Sequence, residues 1–360
     1  MPRRRALTAL ASAAFACLST LSASAQPPAA AAPVPWIDAH VHLVGGRGSQ
    51  SDFPGAVHAA VQDMDRFGIA MALVMPPPQT DSQSPYDHGS YTTALARFPG
   101  RFAFLAGGGS LNPTIHRYAN PANVTDSVKA AFVREASSML DAGAVGFGEI
   151  AALHVSAVPG HPYESVPPDH PLLLALADVA AKRGVPIDLH MDAVEGESAP
   201  PARLTGSNPA RLPDTLGAFP RLLAHNRDAK IVWAHGGSDP IGAMSPAAIG
   251  RLMDAHPNLY VSLRIHGRQS PTHHKVFTNR DELDPAWSDL LTRHADRFVT
   301  GTDTFATSPN LRGSGPGWQF AERNEPKLRA TVHFLSLLPA EVAQKIGRDN
   351  AIRIYKLTVR

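Results

Sequence analysis

The chain has 360 residues, of which 33 are basic and 31 acidic, so its formal net charge is +2. Hydrophobic residues make up 44% of it, which is enough for a sizeable core. A near-neutral chain without a basic run has no electrostatic footprint for nucleic acid. The one cysteine is Cys17, near the N-terminus. A metal bound by the rest of the chain would therefore have nitrogen and oxygen ligands, and no disulfide can form there.

Residues 1–25 have the pattern of a secretory signal peptide. Arginines occupy positions 3–5, an apolar stretch follows over 6–21, and Ala23-Ser24-Ala25 resembles a cleavage site. The apolar stretch is short, so we expect a cleaved leader, a Pro/Ala linker over 26–35 and no stable membrane insertion. Without the three arginines the net charge falls to −1. The sequence predicts a periplasmic or secreted protein, exported by the Sec or the twin-arginine route.

From residue 36 onward, short apolar runs alternate with segments of helical periodicity. The runs predicted as strands are 36–43, 69–76, 102–106, 144–150, 186–191, 230–235, 259–265 and 298–303. The clearest helical segments are 128–140, 172–181, 216–224, 249–255 and 328–338, and Pro171, Pro246 and Pro285 lie where a helix should begin. This alternation predicts an α/β fold, a single (β/α)8 TIM barrel over 36–360. No G-x-G-x-x-G turn follows the first strand, which disfavours an open doubly wound sheet.

Ionisable residues recur at the C-terminal ends of the predicted strands, where barrel enzymes build their active sites. The candidate metal ligands are His40, His42, Glu149, His190, His235 and Asp303. A strand directs residues two apart to one face, so His40 and His42 would point together. Any one of the six could be a hydrogen-bonded core residue or a helix cap. Burying all six without partners would cost several kcal/mol each, and a divalent metal would remove that cost.

The order H-x-H, mid-chain carboxylate, His, His and Asp resembles the amidohydrolase superfamily, and in particular the amidohydrolase-related (amidohydrolase 2) family. The resemblance covers nearly the whole chain after the linker, including residues 346–355, which are similar to that family's terminal helix with its Asn-Ala pair. It implies that His40, His42 and Asp303 bind one metal. His190 would complete that site or join His235 around a second metal. Zinc suits such ligands, with manganese or iron as alternatives.

Glu149 bears on the number of metals. Many two-metal relatives carry a carboxylated lysine on the fourth strand, and the run 144–150 has no lysine. A glutamate there resembles the TatD-like deoxyribonuclease branch, in which it bridges two metals, whereas many one-metal decarboxylase relatives need no such carboxylate. One or two ions both stay open, and two is slightly favoured.

The predicted function is hydrolysis of an amide, ester or lactone bond in a small molecule by metal-activated water. Asp303 would act as general base and then acid, and His235 would bind a second metal or polarise the substrate carbonyl. Arg264 is a candidate for binding an anionic substrate group, with a surface salt bridge as the alternative. The alternatives are a one-metal decarboxylase or lyase acting on a small carboxylic acid, and a non-catalytic metal-binding barrel. A homo-oligomer is left open.

Two long, proline-rich insertions, 153–170 and 192–215, follow the fourth and fifth predicted strands. Loops of this length are usually lids or disordered segments, and we expect lids. His154, in the first insertion, is expected to be a plain loop histidine in preference to a substrate contact.

Overall fold

A computed structural model describes residues 35–47, 50–81, 85–267, 270–313 and 316–359. The predicted leader and the predicted linker, apart from Pro35, lie outside these residues. Within the described ranges, no helix is both long and apolar enough to span a membrane.

The strands of the described ranges are mostly short and buried. They are β1 (Trp36–Val44), β2 (Gly46–Arg47), β3 (Gln50–Ser51), β4 (Ile69–Val74), β5 (Phe102–Phe104), β6 (Ala106–Gly107), β7 (Phe147–His154), β8 (Glu164–Ser165), β9 (Pro186–Met191), β10 (Lys230–Gly236), β11 (Leu259–Leu263), β12 (Phe298–Thr300) and β13 (Thr304–Thr307).

The long-range pairings place eight strand positions in a circle. One sheet has the order β13-β1-β4-β5, and a second has the order β12-β11-β10-β9-β7-β6. Only Leu105 separates β5 from β6, and only residues 301–303 separate β12 from β13, so each pair is one interrupted strand shared by both sheets. The pairings along these two orders are parallel. This arrangement is consistent with the predicted (β/α)8 barrel.

Helices alternate with the strands. They are α1 (Phe53–Phe67), α2 (Thr92–Leu95), α3 (Leu111–Arg117), α4 (Asp126–Asp141), α5 (Pro171–Arg183), α6 (Phe219–His225), α7 (Pro246–Ala255), α8 (Pro285–Arg293), α9 (Pro316–Ala321), α10 (Asn324–Leu337), α11 (Ala340–Gln344) and α12 (Asn350–Tyr355). Single turns of 3₁₀-helix cover His88–Ser90, Pro121–Asn123 and Ala295–Arg297, and a π-helical turn covers Lys345–Asp349.

Local sequence explains where the principal helices begin and end. Pro171, Pro246 and Pro285 are the first residues of α5, α7 and α8, as predicted, because proline's missing N–H is not needed in a first turn. The side chain of Asp52 caps α1 by accepting from the Gly55 N–H at 2.9 Å. Gly68 ends the same helix with φ of 72°, a left-handed conformation that glycine adopts without a steric penalty.

The predicted terminal helix is present, and its asparagine has a structural role. The Asn350 side-chain amide donates to the carbonyls of Ala295 and Phe298, at 2.7 and 2.8 Å. Both carbonyls belong to the segment that enters β12. Because Asn350 is buried, these bonds fasten the end of the chain to the sheet.

Two predicted strands differ in extent from the observed ones. β7 continues to His154, so Glu149 is the third residue of a strand and not its last. The strand predicted over 298–303 ends at Thr300 as β12, and strand pairing resumes at Thr304 as β13. Gly301 permits this break, since a Cβ there would overlap the Ser262 hydroxyl and lie 2.9 Å from the Cβ of His40.

Candidate metal centre

The first pair of predicted ligands lies on β1, with both side chains buried. The Nε2 atoms of His40 and His42 are 3.1 Å apart. His42 Nδ1 is 2.9 Å from the Met75 carbonyl oxygen, and since a carbonyl only accepts, Nδ1 carries the proton. The Nε2 of His42 therefore presents a lone pair toward the other imidazole. A cation shared by the two rings would satisfy this arrangement.

Glu149 lies between two pairs of imidazoles and is buried. Its Oε2 is 3.4 Å from His40 Nε2 and 3.3 Å from His42 Nε2. Its Oε1 is 2.6 Å from His190 Nδ1 and 3.0 Å from His235 Nε2, and those two nitrogens are 3.0 Å apart. Glu149 thus belongs to two groups of three residues, one with His40 and His42 and one with His190 and His235. Within each group the candidate ligand atoms lie within 4.8 Å of one another. The two groups could each hold a metal ion, with Glu149 common to both.

Asp303 joins the first of these groups and is held by two cations. Its Oδ1 is 3.2 Å from His42 Nε2, while its Oδ2 pairs with Arg264 and lies 3.6 Å from Lys327 Nζ. The Lys327 ammonium also donates to the Asp303 carbonyl. Arg264, which could have been a surface residue, is instead mostly buried, and its Nε donates to the Ser238 hydroxyl at 2.8 Å. Arg264 therefore contacts the candidate metal ligand Asp303, and it also lines the cavity described below.

His235 and Asp303 have φ angles of 73° and 53°. For residues with a Cβ this left-handed conformation costs on the order of 1 kcal/mol or more, and it persists where the surroundings enforce it. His235 lies within β10, where its pairing with β11 is irregular, and Asp303 lies between β12 and β13. Their side chains are directed toward Glu149 and His42, respectively. The strain is located where the predicted ligands converge.

The sequence-based prediction missed three aspartates behind the ligands. Asp188 Oδ1 is 3.3 Å from His40 Nδ1, and Asp192 Oδ2 is 3.5 Å from His190 Nε2. Asp38 accepts from the N–H and hydroxyl of Thr302, at 2.9 and 2.6 Å. Carboxylates behind metal-binding histidines fix the ring orientation and raise ligand basicity. Asp38 and Asp188 each precede a candidate histidine by two residues on the same strand, and this period-two signal could have identified them.

Comparison with known proteins decides the family. The sequence model of the amidohydrolase family matches residues 37–357, nearly all of the chain. The chain belongs to the amidohydrolase family. The family resemblance predicted from the strand-end residues is thereby confirmed, and with it a metal-dependent hydrolase as the class of enzyme. No curated protein matched the chain.

Solved structures show similarity along most of this amidohydrolase. An organophosphorus hydrolase variant from Deinococcus radiodurans is 13% identical with a TM-score of 0.49, over 89% of this chain and 92% of the other. Amidohydrolase 2 from Bifidobacterium longum subsp. infantis is 14% identical with a TM-score of 0.44, over 90% and 99%. The phosphotriesterase from Mycobacterium tuberculosis is 12% identical with a TM-score of 0.44, over 90% and 94%. At these values the similarity carries no argument about substrate.

Charges within the centre of the amidohydrolase offset one another. Burial alone would raise the pKa of Glu149, but His40 and His190 outweigh it and hold that pKa well below its ordinary value. Burial would likewise lower the pKa of His190, yet Glu149 and Asp192 raise it to about 10. The carboxylate therefore favours a positive charge on its nitrogen neighbours, which is the condition under which a metal cation replaces protons.

Asp303 is kept ionised by its surroundings. Burial would raise its pKa, but the charges of Lys327 and Arg264 hold it well below the ordinary range. Burial lowers the pKa of Lys327 to about 8, against the attraction of Asp303. Burial and the positive charge of Arg264 also hold the pKa of His235 well below its usual value, so this ring is neutral and able to coordinate.

The centre opens into a cavity of 780 Å³. Glu149, His190, His235 and Asp303 are among the residues that line it, and Phe305 and Phe320 contribute apolar surface. Both predicted lid insertions contribute to the lining, among others through His154, His161, Arg203 and Leu204. The two insertions are joined where Asn208 exchanges two 2.8 Å hydrogen bonds with the backbone of Ser156. Their closure over a substrate stays a prediction.

Proposed function

We propose that this amidohydrolase binds two divalent metal ions, for both of which Glu149 would be a ligand, and hydrolyses an amide, ester or lactone bond in a small molecule. The observation that carries the proposal is the position of Glu149, whose two oxygens face two separate pairs of imidazole nitrogens. A one-metal lyase has no need of a second nitrogen pair on the far side of this carboxylate. The all-nitrogen-and-oxygen donor set favours zinc.

In this proposal His40, His42 and Asp303 would hold one ion, and His190 and His235 would hold the other. When bound, the ions supply a water that loses its proton near neutral pH. His235 is assigned as a ligand because its Nε2 is directed at Glu149 and His190, both at 3.0 Å. This assignment leaves it no role in polarising the substrate carbonyl.

Asp303 is the candidate proton carrier. Its Oδ2 is occupied by Arg264, while Oδ1 faces His42 inside the cavity. Lys327 and Arg264 keep the carboxylate anionic, so that it can accept the proton of the attacking water and pass it to the leaving group. Both cations therefore act as positioning residues for Asp303. A role of Arg264 as a substrate contact is therefore secondary to its pairing with Asp303.

Metal content of the reconstituted protein tests the proposal. We expect two equivalents of zinc per chain, and we expect Glu149→Gln to lose at least one equivalent together with activity. Glu164→Gln is the matched control, because Glu164 is an equally buried carboxylate that contacts none of the six candidate ligands. One equivalent in the wild-type protein would favour the decarboxylase or lyase. No bound zinc or manganese would contradict both enzymes.

A substrate panel tests the reaction. Metal-loaded protein should hydrolyse at least one class among esters, lactones and amides. Release of CO₂ from carboxylic acids without any hydrolysis would contradict the proposal and favour the lyase.

We also propose export of the protein, supported by the arginines, apolar stretch and Ala-x-Ala end of residues 1–25. N-terminal sequencing of protein recovered from a periplasmic extract or the medium should begin at Gln26. Recovery of an intact Met1 end from the cytoplasm alone would contradict it.

A further inference from the structure

Two histidines outside the six candidate ligands face the same cavity. His154 is the last residue of β7, and His161 lies in the connection from β7 to β8. Their ring centroids are 4.4 Å apart, and the ring of His154 is 4.6 Å from that of His190. Both therefore lie beside the candidate metal centre, on the wall that a substrate would touch.

The contacts of His154 fix its proton on Nδ1. This nitrogen is 2.9 Å from the Pro162 carbonyl oxygen, which can only accept, so Nδ1 donates. The side chain is buried at 6% exposure. With its ring proton on Nδ1, the imidazole of His154 bears its lone pair on Nε2.

His161 has the opposite tautomer. The backbone N–H of Ala157 donates to His161 Nδ1 at 3.1 Å, so Nδ1 carries no proton and Nε2 does. The ring packs edge-on against Phe320, with centroids 5.3 Å apart. The Ser156 hydroxyl also donates to the His161 carbonyl, which ties this residue to the joint between the two insertions.

Across the described ranges, neither Nε2 has a hydrogen-bond partner. The wall thus presents one acceptor, on His154, beside one donor, on His161. Neutral polar atoms with fixed and opposite polarity select a ligand group that offers the complementary pair.

We propose that His154 and His161 recognise the edge of an amide, in which a carbonyl oxygen lies beside an N–H, as in a primary carboxamide or a lactam. His161 Nε2–H donates to the carbonyl, and His154 Nε2 accepts from the N–H. An ester or lactone has no N–H and leaves His154 Nε2 without a partner. The inference rests on the proposed function and selects the amide among its three bond classes.

The tautomers are tested first, in metal-free protein, by ¹⁵N NMR of the imidazole nitrogens. We expect a proton on Nδ1 of His154 and on Nε2 of His161 at neutral pH. The same tautomer on both rings, or a doubly protonated His154, would overturn the inference. This measurement depends on neither metal nor turnover.

Recognition is tested by the dissociation constants of benzamide and acetophenone, which have nearly the same shape and differ in an NH₂ or a CH₃ beside the carbonyl. Metal-free wild-type protein should bind benzamide about tenfold more tightly. His154→Asn keeps a donor for Pro162 but removes Nε2, and it should abolish this preference. His154→Gln, whose amide oxygen can reach the position of Nε2, should restore part of it. His161→Asn should weaken both ligands, because both have the carbonyl.

A wild-type protein that binds neither ligand, or binds both equally, would overturn the inference, as would an unchanged preference in His154→Asn. If His154→Asn does not fold, the preference of the wild-type protein for benzamide and the tautomers of the two histidines still test the inference. Failure of the proposed function would appear elsewhere, as missing metal or missing hydrolysis in the loaded protein.

Discussion

Replacing Glu164 by glutamine is expected to stabilise the protein at pH 8 far more than at pH 5. Glu164 lies on β8 and is 3% exposed. Its Oε1 accepts from the Asn112 amide at 2.9 Å, while its Oε2 has no hydrogen-bond partner in the described ranges. Burial raises the pKa of this carboxyl from 4.5 to about 8. Glutamine has nearly the same shape, keeps an oxygen for Asn112 and cannot ionise.

The sign of the effect follows from the two states of the chain. Below pH 4.5 both the folded and the unfolded protein carry the proton, so Glu164 does not oppose folding. Between 4.5 and about 8 the unfolded chain is ionised and the folded protein still binds the proton. Stability is therefore lost progressively as the pH rises through this interval, and the loss is complete above the folded-state pKa.

The magnitude is large. At about 1.4 kcal/mol for each pH unit, the loss reaches roughly 4 kcal/mol at pH 8. Domains typically have a free energy of unfolding of about 5–15 kcal/mol, so this loss is a substantial part of the total. Glu164→Gln should recover most of this loss at pH 8 and only about 0.7 kcal/mol at pH 5.

Urea unfolding at pH 5, 6, 7 and 8, followed by the fluorescence of the four tryptophans, measures the difference in free energy of unfolding between variant and wild type. Protonation of the other groups is common to both proteins and cancels in this difference. Glu197→Gln is the control, since Glu197 is an exposed partner of Arg211 and should change stability by less than about 1 kcal/mol. A Glu164→Gln difference that stays constant across the four pH values would refute the reasoning.

Three further predictions concern the centre and its surroundings. Asp188→Asn should weaken metal binding by about 10- to 100-fold in a chelator competition, because it removes the charge facing His40 Nδ1; an unchanged affinity would contradict that role. Gly301→Ala should lower stability by about 1–3 kcal/mol in thermal unfolding, whereas Gly89→Ala, where an added Cβ meets nothing, should not. Asn208→Ala removes both bonds to Ser156 and should speed proteolytic cleavage within 155–163; equal cleavage rates would show that the joint is unimportant.

The sequence was most informative where periodicity and chemistry agreed. All six candidate ligands lie together because five of them lie within parallel strands of one circle and Asp303 directly follows another, so their side chains reach one region. Proline at the first helical position located α5, α7 and α8 correctly. Helix α1 was not among the clearest segments, although Asp52 is a strong cap for it.

What the sequence could not supply was the direction of individual side chains. The order of residues alone does not show that Glu149 faces imidazoles with both oxygens, or that Arg264 is paired with Asp303 and not with a substrate. Lys327 comes from a helix far along the chain, with no spacing to connect it to the strand-end residues. His154 was expected to be a plain loop residue because the length of β7 depends on its pairing with β8 and β9.

The break between β12 and β13 lies where the last strand of the described ranges meets the first. At this seam the Asp303 N–H donates to the His40 carbonyl at 2.9 Å, Thr302 binds Asp38, and β13 pairs with β1. The first candidate site takes His40 and His42 from one side of the seam and Asp303 from the other. A chain released before its last strand is made would have the histidines without their third ligand. Metal retention would therefore require that the chain has been made at least as far as Asp303 and that β13 has paired with β1.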